Sequence, residues 1–381
     1  MPNGEFSGGG SPPDSPLMVI HRPDDFAARV GDSGLIGFGE SYMAGDWEAS
    51  DLTAVLEVFA SRVATLIPDF LQRLRGLYIP KQPRSERNST QNTRSNISRH
   101  YDLSNEMFEL FLDDTMTYSS ALFEDLSVGG DPPVVGRVRS GAASEDRSTA
   151  GWRRCRTRFA SARNRHRLGR IGDPSCPTGS DGALGDTFGR TAGIGSEADK
   201  RCGIGRSRSG RPSRLSAGTG GEYDAVVSVE MIEAVGHQYW GGSYFQTIDA
   251  LLAPGGRAAI QAITMPHDRM LATRNTYTWV HKYIFPPGGF LPSVRAIEDV
   301  TERMTTLRVR ERMSMGDHYA QTLRLWDERF SARTDEASAL GFDAVFARMW
   351  HFYLCYSEAG GFRSGGYLDV QQIVLDRRNQ R

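Results

Sequence analysis

Long apolar runs are missing from this chain. No stretch approaches the roughly 20 consecutive apolar residues that a membrane span needs, so contact with a bilayer is expected only at its surface. Cysteine is scarce: Cys155, Cys176, Cys202 and Cys355 have no C-x-x-C spacing, which argues against both a zinc ribbon and a disulfide scaffold. Neither sign of charge prevails, since 45 Lys and Arg stand against 46 Asp and Glu, and a net charge of -1 makes no case for a nucleic-acid partner. Met1 to Pro16 is rich in Gly, Ser and Pro and lacks the apolar stretch of a signal peptide. A cytoplasmic protein, at most peripheral at a membrane, is expected. What the chain does have is 381 residues, 39% of them hydrophobic, enough for a sizeable core and for more than one average domain.

Core formers are also missing from one window. Residues 131–220 hold about 17 Arg, 16 Gly and 11 Ser but only about 11 Leu, Ile, Val and Phe together. Its charge is about +10, and the rest of the chain must compensate. Such a segment cannot offset the entropy of its own ordering, so 128–220 is expected to be disordered or misfolded. As an alternative, a basic disordered insert could bind a polyanion, although aromatic residues and Lys are nearly absent from it.

The flanks carry periodic patterns. Leu52, Val55, Leu56, Phe59, Val63, Leu66, Ile67, Phe70, Leu71 and Leu74 follow helical spacing with a kink at Pro68, while Ser104 can cap a short helix bearing Met107, Phe108, Leu110 and Phe111. Tyr223 to Val229 reads as a buried strand, Tyr244 to Leu252 as an amphipathic helix and Gly256 to Ile263 as a second strand, together a parallel α/β unit. Trp279 to Tyr283, Thr322 to Phe330 and Phe342 to Tyr356 predict further helices, and Tyr367 to Leu375 a last strand. The expected organisation is a tail over 1–16, a helical domain and linker over 17–90, and a larger α/β domain over 91–381 interrupted at 128–220.

Several stretches together resemble the cyclopropane-fatty-acyl-phospholipid synthases, a family that includes the mycolic acid cyclopropane synthases and related fatty acid methyltransferases. They are HYDLSNEMFELFLDDTMTYSSALFE (His100 to Glu124), YDAVVSVEMIEAVG (Tyr223 to Gly236), WVHKYIFPPGGFLPS (Trp279 to Ser293) and GDHYAQTLRLWDERF (Gly316 to Phe330), with a weaker match in GFGESYMAGDW (Gly37 to Trp47). The resemblance implies a Rossmann-like S-adenosylmethionine-dependent methyltransferase sheet with a small N-terminal helical domain. It also implies transfer of a methyl or methylene group to the double bond of an unsaturated acyl chain of a phospholipid, with peripheral membrane contact. A non-catalytic lipid-binding remnant of the family is the alternative.

An alkene is a weak nucleophile, so the methyl sulfonium must be held in line with it, and the carbocation that forms must be shielded from water until a proton leaves. By resemblance, a bound bicarbonate takes that proton. Glu233 and Tyr319 match the family residues that hold it, and Ser120 and Ile263 match positions that supply backbone amides. Tyr118 and Ser119 match residues that touch the cofactor. At the family's His stands Gln261, a neutral amide that can donate a hydrogen bond but cannot shuttle a proton, which favours a methyl or methylene branch over a ring. Taken alone, Glu233 would be a helix-start carboxylate, Tyr319 a half-buried aromatic and Cys355 a small buried hydrophobe. His100, His237, His267, His281 and His318 lack metal-ligand spacing, and no metal is expected. Phe285 to Leu291 is expected to border the acyl tunnel.

The strand and Gly-rich turn that should cradle the cofactor are missing between Glu124 and Tyr223; GIGS (Gly193 to Ser196) and GIGR (Gly203 to Arg206) follow no apolar run. The window instead reads as a gene segment out of frame. Ser161 to Arg170, written AGT GCT CGA AAT CGG CAC CGG CTG GGG CGA and read one base further on, becomes VLEIGTGWG: a strand, an acidic residue and a G-x-G-x-G turn. The first base of each shifted codon is the middle base of an existing one and is fixed by the residue, except at Ser161, where an AGT or AGC codon is assumed. The same shift turns Ser144 to Trp152 into AKIDRLLD, an amphipathic helix pattern. The frame slips near Ser127 to Pro132 and recovers just before Glu222.

Overall fold

The computed structural model describes residues 16–66, 103–113, 116–123, 126, 159–161, 223–274, 276–285, 289–363 and 367–378. The tail, the linker and nearly all of the Arg-rich window lie outside these residues. The chain forms two compact units, one of Met1–Gln82, Asn275–Phe285 and Ala320–Tyr367, the other of Pro83–Arg274, Pro286–Tyr319 and Leu368–Arg381.

The first unit is helical. Strands β1 (Met18–Ile20) and β2 (Trp47–Ala49) pair antiparallel and bracket the helices Pro23–Ser33 and Leu35–Ala44. Pro23 starts the former, with Asp24 and Asp25 in the first turn facing the positive end of the helix dipole, and Gly45 ends the latter at φ 77°. Leu52–Leu66 follows, as its apolar spacing predicts; the expected kink at Pro68 lies outside the described residues. Asp46 is fully buried, and its two carboxylate oxygens accept from Arg22 at 2.8 Å and Arg29 at 2.9 Å. Trp47 is fully buried and donates its indole N–H to Ser41 at 2.9 Å. Gly39 is dictated by packing, because a Cβ there would stand 2.5 Å from the Trp279 ring. The helix Ala344–Tyr356, capped by Asp343, sends Phe352 against Trp279.

The second unit holds a five-stranded sheet in the order β3 (Phe159–Ser161), β4 (Tyr223–Val229), β5 (Leu252–Thr264), β7 (Asp369–Arg377), β6 (Leu307–Ser314). The first three strands are parallel, and β7 runs antiparallel to both its neighbours. This mixed sheet with its helices is the expected methyltransferase architecture. Its core gathers Val226, Phe245, Leu252, Ile260 and Ile373, from segments that the apolar spacing marks, with Ile232, Ile297 and Leu307 from elements that the sequence reading did not name.

Three elements differ from the sequence reading. β5 begins at Leu252 rather than Gly256, because the Pro-Gly-Gly turn folds into the ladder as an irregularity opposite Tyr223 and Ala225. Gly255 adopts φ 77°, and a Cβ on Gly256 would meet the Ala253 carbonyl at 2.8 Å. The helix expected from Tyr244 is preceded by a π turn, Trp240–Phe245, and is itself Gln246–Leu251. That wide turn buries Trp240, Tyr244 and Phe245 together. Third, the three residues of β3, which the sequence pattern did not predict, pair with Ala225 to Val227.

Candidate active site

The C-terminal ends of β4 and β5 form the centre of the site. β4 stops at Val229, and Glu230 takes φ 48° while donating its backbone N–H to the Gln261 carbonyl at 2.8 Å. A left-handed non-glycine residue at a strand end is held by its surroundings, and such positions concentrate at functional sites. The chain then turns at once into the short helix Ile232–Val235, which carries Glu233 back toward β5.

Two hydrogen-bonded groups result. In one, the Ile263 backbone N–H donates to Glu233 Oε1 at 2.6 Å, joining two of the residues expected from sequence. Glu233 Oε2 is buried and has no hydrogen-bond partner. Burial, and next the neighbouring Glu230 charge, push the Glu233 carboxyl up to about 8, against the lowering effect of backbone N–H groups. At neutral pH it therefore holds a proton.

In the other group, Ser119 Oγ donates to Glu230 Oε1 at 2.6 Å, and Gln261 Nε2 lies 2.5 Å from Ser119 Oγ and 3.1 Å from Glu230 Oε1. Gln372 Nε2 donates to Gln261 Oε1 at 2.9 Å, which fixes which end of the amide carries the N–H groups. Burial raises the Glu230 carboxyl as well, opposed by the bonds from Ser119 and Gln261. Glu230 is the residue that sequence reasoning missed. Its signal was a second carboxylate three positions before Glu233, at the strand end in V-E-M-I-E.

The remaining expected residues lie on elements tied to these two groups. Tyr118 packs edge-on against Phe108, 5.4 Å between ring centres, and Ser120 is buried with its hydroxyl on the Ala121 carbonyl at 2.9 Å. Tyr319 is buried in the first turns of the helix Gly316–Ser331. Beside it, His318 Nδ1 accepts the Phe123 backbone N–H at 3.1 Å, fastening the Tyr118–Phe123 segment to that helix. Of the stretch expected to border an acyl tunnel, 286–288 lies outside the described residues. Phe290 stacks on Trp240 and donates its backbone N–H to the Glu233 carbonyl at 2.8 Å.

The other histidines have local partners. His267 pairs with Ser293 at 2.8 Å, His281 caps its own helix through Thr278 and is pushed down to about 4 by burial, and His237 accepts from Arg274 at 2.9 Å. His100 lies outside the described residues. Cys355 is buried as expected, but its surroundings are not apolar: Asp327 and His351 adjoin its sulfur.

With this geometry in place, comparison with known proteins identifies the family. The model of the mycolic acid cyclopropane synthetase family matches residues 88–129 and 217–373. This chain belongs to that family. Its members are S-adenosylmethionine-dependent methyl and cyclopropane transferases acting on unsaturated fatty acyl chains, and the chain is an enzyme by this resemblance. The match stops and resumes at the edges of the Arg-rich window. A tuberculostearic acid methyltransferase of Mycobacterium tuberculosis is 45% identical over 97% of this chain and 85% of its own length. The cyclopropane-fatty-acyl-phospholipid synthase of Escherichia coli is 27% identical over 95% and 88%. Among solved structures, a cyclopropane synthase from Mycobacterium tuberculosis superposes with a TM-score of 0.53 at 21% identity, covering 77% of this chain and 99% of its own. A coclaurine N-methyltransferase superposes with a TM-score of 0.57 at 11% identity over 90% and 99%. Both show the fold. No helix among the described residues is long and apolar enough to cross a membrane.

Proposed function

We propose that this site is built to transfer a one-carbon unit from S-adenosylmethionine to the double bond of an unsaturated acyl chain of a phospholipid, leaving a methyl or methylene branch. The observation that carries the reading is Glu233, a buried carboxyl that keeps its proton at pH 7 and has one oxygen bonded to Ile263 and the other unpartnered. A protonated Oε2 can donate to an anion, so Glu233, Tyr319 and the amide of Ser120 fit a bound bicarbonate, whereas the Ile263 amide expected to join them is committed to Glu233 Oε1 and positions that carboxyl instead. S-adenosylmethionine supplies the methyl group and bicarbonate the base. Glu233 orients that base and keeps a second negative charge away from it. Gln261 commits its amide N–H groups to Ser119 and Glu230, so it anchors the cofactor-side segment and moves no proton. A branch rather than a ring follows from that exchange, and a relative named as a methyltransferase agrees with it. Peripheral contact with a membrane would deliver the lipid.

The cofactor side is incomplete. Tyr118 and Ser119 would serve the cofactor, but the written sequence lacks the Gly-rich turn, which is read only in the shifted frame within 128–220. The chain as written therefore retains the base-side site with much weakened cofactor binding, and in this form acts as a lipid-binding remnant. The test of the chemistry is mass spectrometry of phospholipid acyl chains from cells expressing the gene with its frame restored. Methyl-branched or methylene-branched acids are expected, and a cyclopropane acid as the main product overturns the proposal. For the chain as written, binding of a labelled unsaturated acyl lipid without binding of S-adenosylmethionine is expected; failure to bind the lipid overturns the remnant reading.

A further inference from the structure

Within the first unit, a polar cluster stands apart from the candidate active site. His351 and Cys355 lie one turn apart on the helix Ala344–Tyr356, and Asp327 faces them from the helix Gly316–Ser331. His351 Nδ1 is 2.6 Å from Asp327 Oδ1, and Cys355 Sγ is 3.6 Å from Asp327 Oδ2 and 3.7 Å from His351 Nδ1. We propose that Asp327, His351 and Cys355 form a binding site for one zinc ion or a similar thiophilic divalent cation.

The arrangement differs from a nucleophile relay. In a relay, the thiol and the carboxylate engage opposite nitrogens of the imidazole. Here the carboxylate takes Nδ1 while the sulfur lies beside the same ring, 3.7 Å from Nδ1 and 4.0 Å from Nε2, so three donors of different kinds are gathered in one place. With zinc bonds of about 2.3 Å to sulfur and 2.0–2.1 Å to nitrogen and oxygen, tetrahedral ligands stand roughly 3.3–3.6 Å apart. The two sulfur separations already have nearly that value. Only the His351–Asp327 pair must open, from hydrogen-bond distance, when the ion replaces the proton between them. Sulfur, imidazole and carboxylate together suit zinc rather than magnesium or calcium.

Charge balance supports the same occupant. Cys355 binds as the thiolate, its thiol proton leaving to solvent; His351 binds as neutral imidazole with its proton on Nε2, and Asp327 as carboxylate. The two negative charges cancel the ion's two positive charges, which favours binding at a partly buried site. Burial first and Asp327 next push the free Cys355 thiol up, so without an ion it stays a thiol and is inert toward oxidants. Thr53 adjoins Cys355 and donates to Glu358, whose carboxyl burial pushes up to about 7; the fourth ligand would be water.

The test uses the full-length chain, stripped with chelator and titrated with zinc against a chromophoric competitor, then with cobalt as a spectroscopic substitute. One equivalent should bind tightly, and cobalt should give a thiolate charge-transfer band in the near ultraviolet. Cys355→Ser should abolish that band, and His351→Asn should weaken zinc binding by roughly ten-fold or more, the helical circular dichroism signal staying unchanged. Should Cys355→Ser fail to fold, Asp327→Asn is the second variant, and it should keep the band while weakening the affinity; unchanged affinity overturns the proposal. A zinc equivalent and a charge-transfer band that survive Cys355→Ser, and so come from Cys155, Cys176 and Cys202, overturn the proposal. So does the absence of tight binding.

Discussion

Glu233 holds its proton at neutral pH because burial and the adjacent Glu230 charge both oppose ionisation, with the carboxyl at about 8. The folded state thus binds this proton more tightly than the unfolded chain does, and the group contributes stability that is complete below an ordinary carboxyl pKa of 4.5 and is lost as pH rises to about 8. Thermal unfolding followed from pH 5 to 8 should show a fall in Tm that is visibly flatter in Glu233→Gln. An equally steep fall would place the titration elsewhere. Glu230→Gln removes the neighbouring charge and should lower the Glu233 pKa, read as an earlier loss of the protonated carboxyl band in infrared titration. In frame-restored protein, Glu233→Gln should cost about a hundred-fold in turnover, as losing a positioned polar group at a reacting centre does. Glu233, Ser119 and Ser120 could be singled out in the sequence because each sits inside a stretch that resembles the family, and Gln261 because it stands where the family has His. The bond from Ser119 to Glu230 was not, since 111 residues separate its partners.

At the scale of elements, two contacts can be broken cleanly. Gly39→Ala puts a Cβ 2.5 Å from the buried Trp279 ring, an overpacking that should cost about 1–3 kcal/mol in chemical denaturation. Ser293 caps the helix Val294–Met304 through the Ala296 N–H at 3.0 Å and pairs with His267 as well. Ser293→Ala should therefore cost about 1 kcal/mol or somewhat more, in the range of lost helix caps. Strands β4 and β5 and the helices Trp279–Tyr283 and Ala344–Tyr356 were legible because apolar periodicity and turn residues agree there. The π turn at Trp240 and the inclusion of Pro-Gly-Gly in β5 were not. Both arise from tertiary demands, the joint burial of Trp240, Tyr244 and Phe245 and the close approach of Gly256 to the Ala253 and Tyr223 carbonyls, which no local window of sequence contains.

For the molecule as a whole, the chain belongs to the family, and we propose that its cofactor turn is written out of frame. The family model skips 130–216, and there the composition loses its core formers and the shifted reading recovers VLEIGTGWG. On that proposal the base-side residues on β4 and β5 are kept because they lie beyond Glu222. The most direct measurement is calorimetric titration of S-adenosylmethionine into the purified chain as written and into the chain with the frame restored over 128–220. Saturable low-micromolar binding is expected only in the restored chain. Low-micromolar binding by the chain as written, or none by the restored chain, would contradict the account.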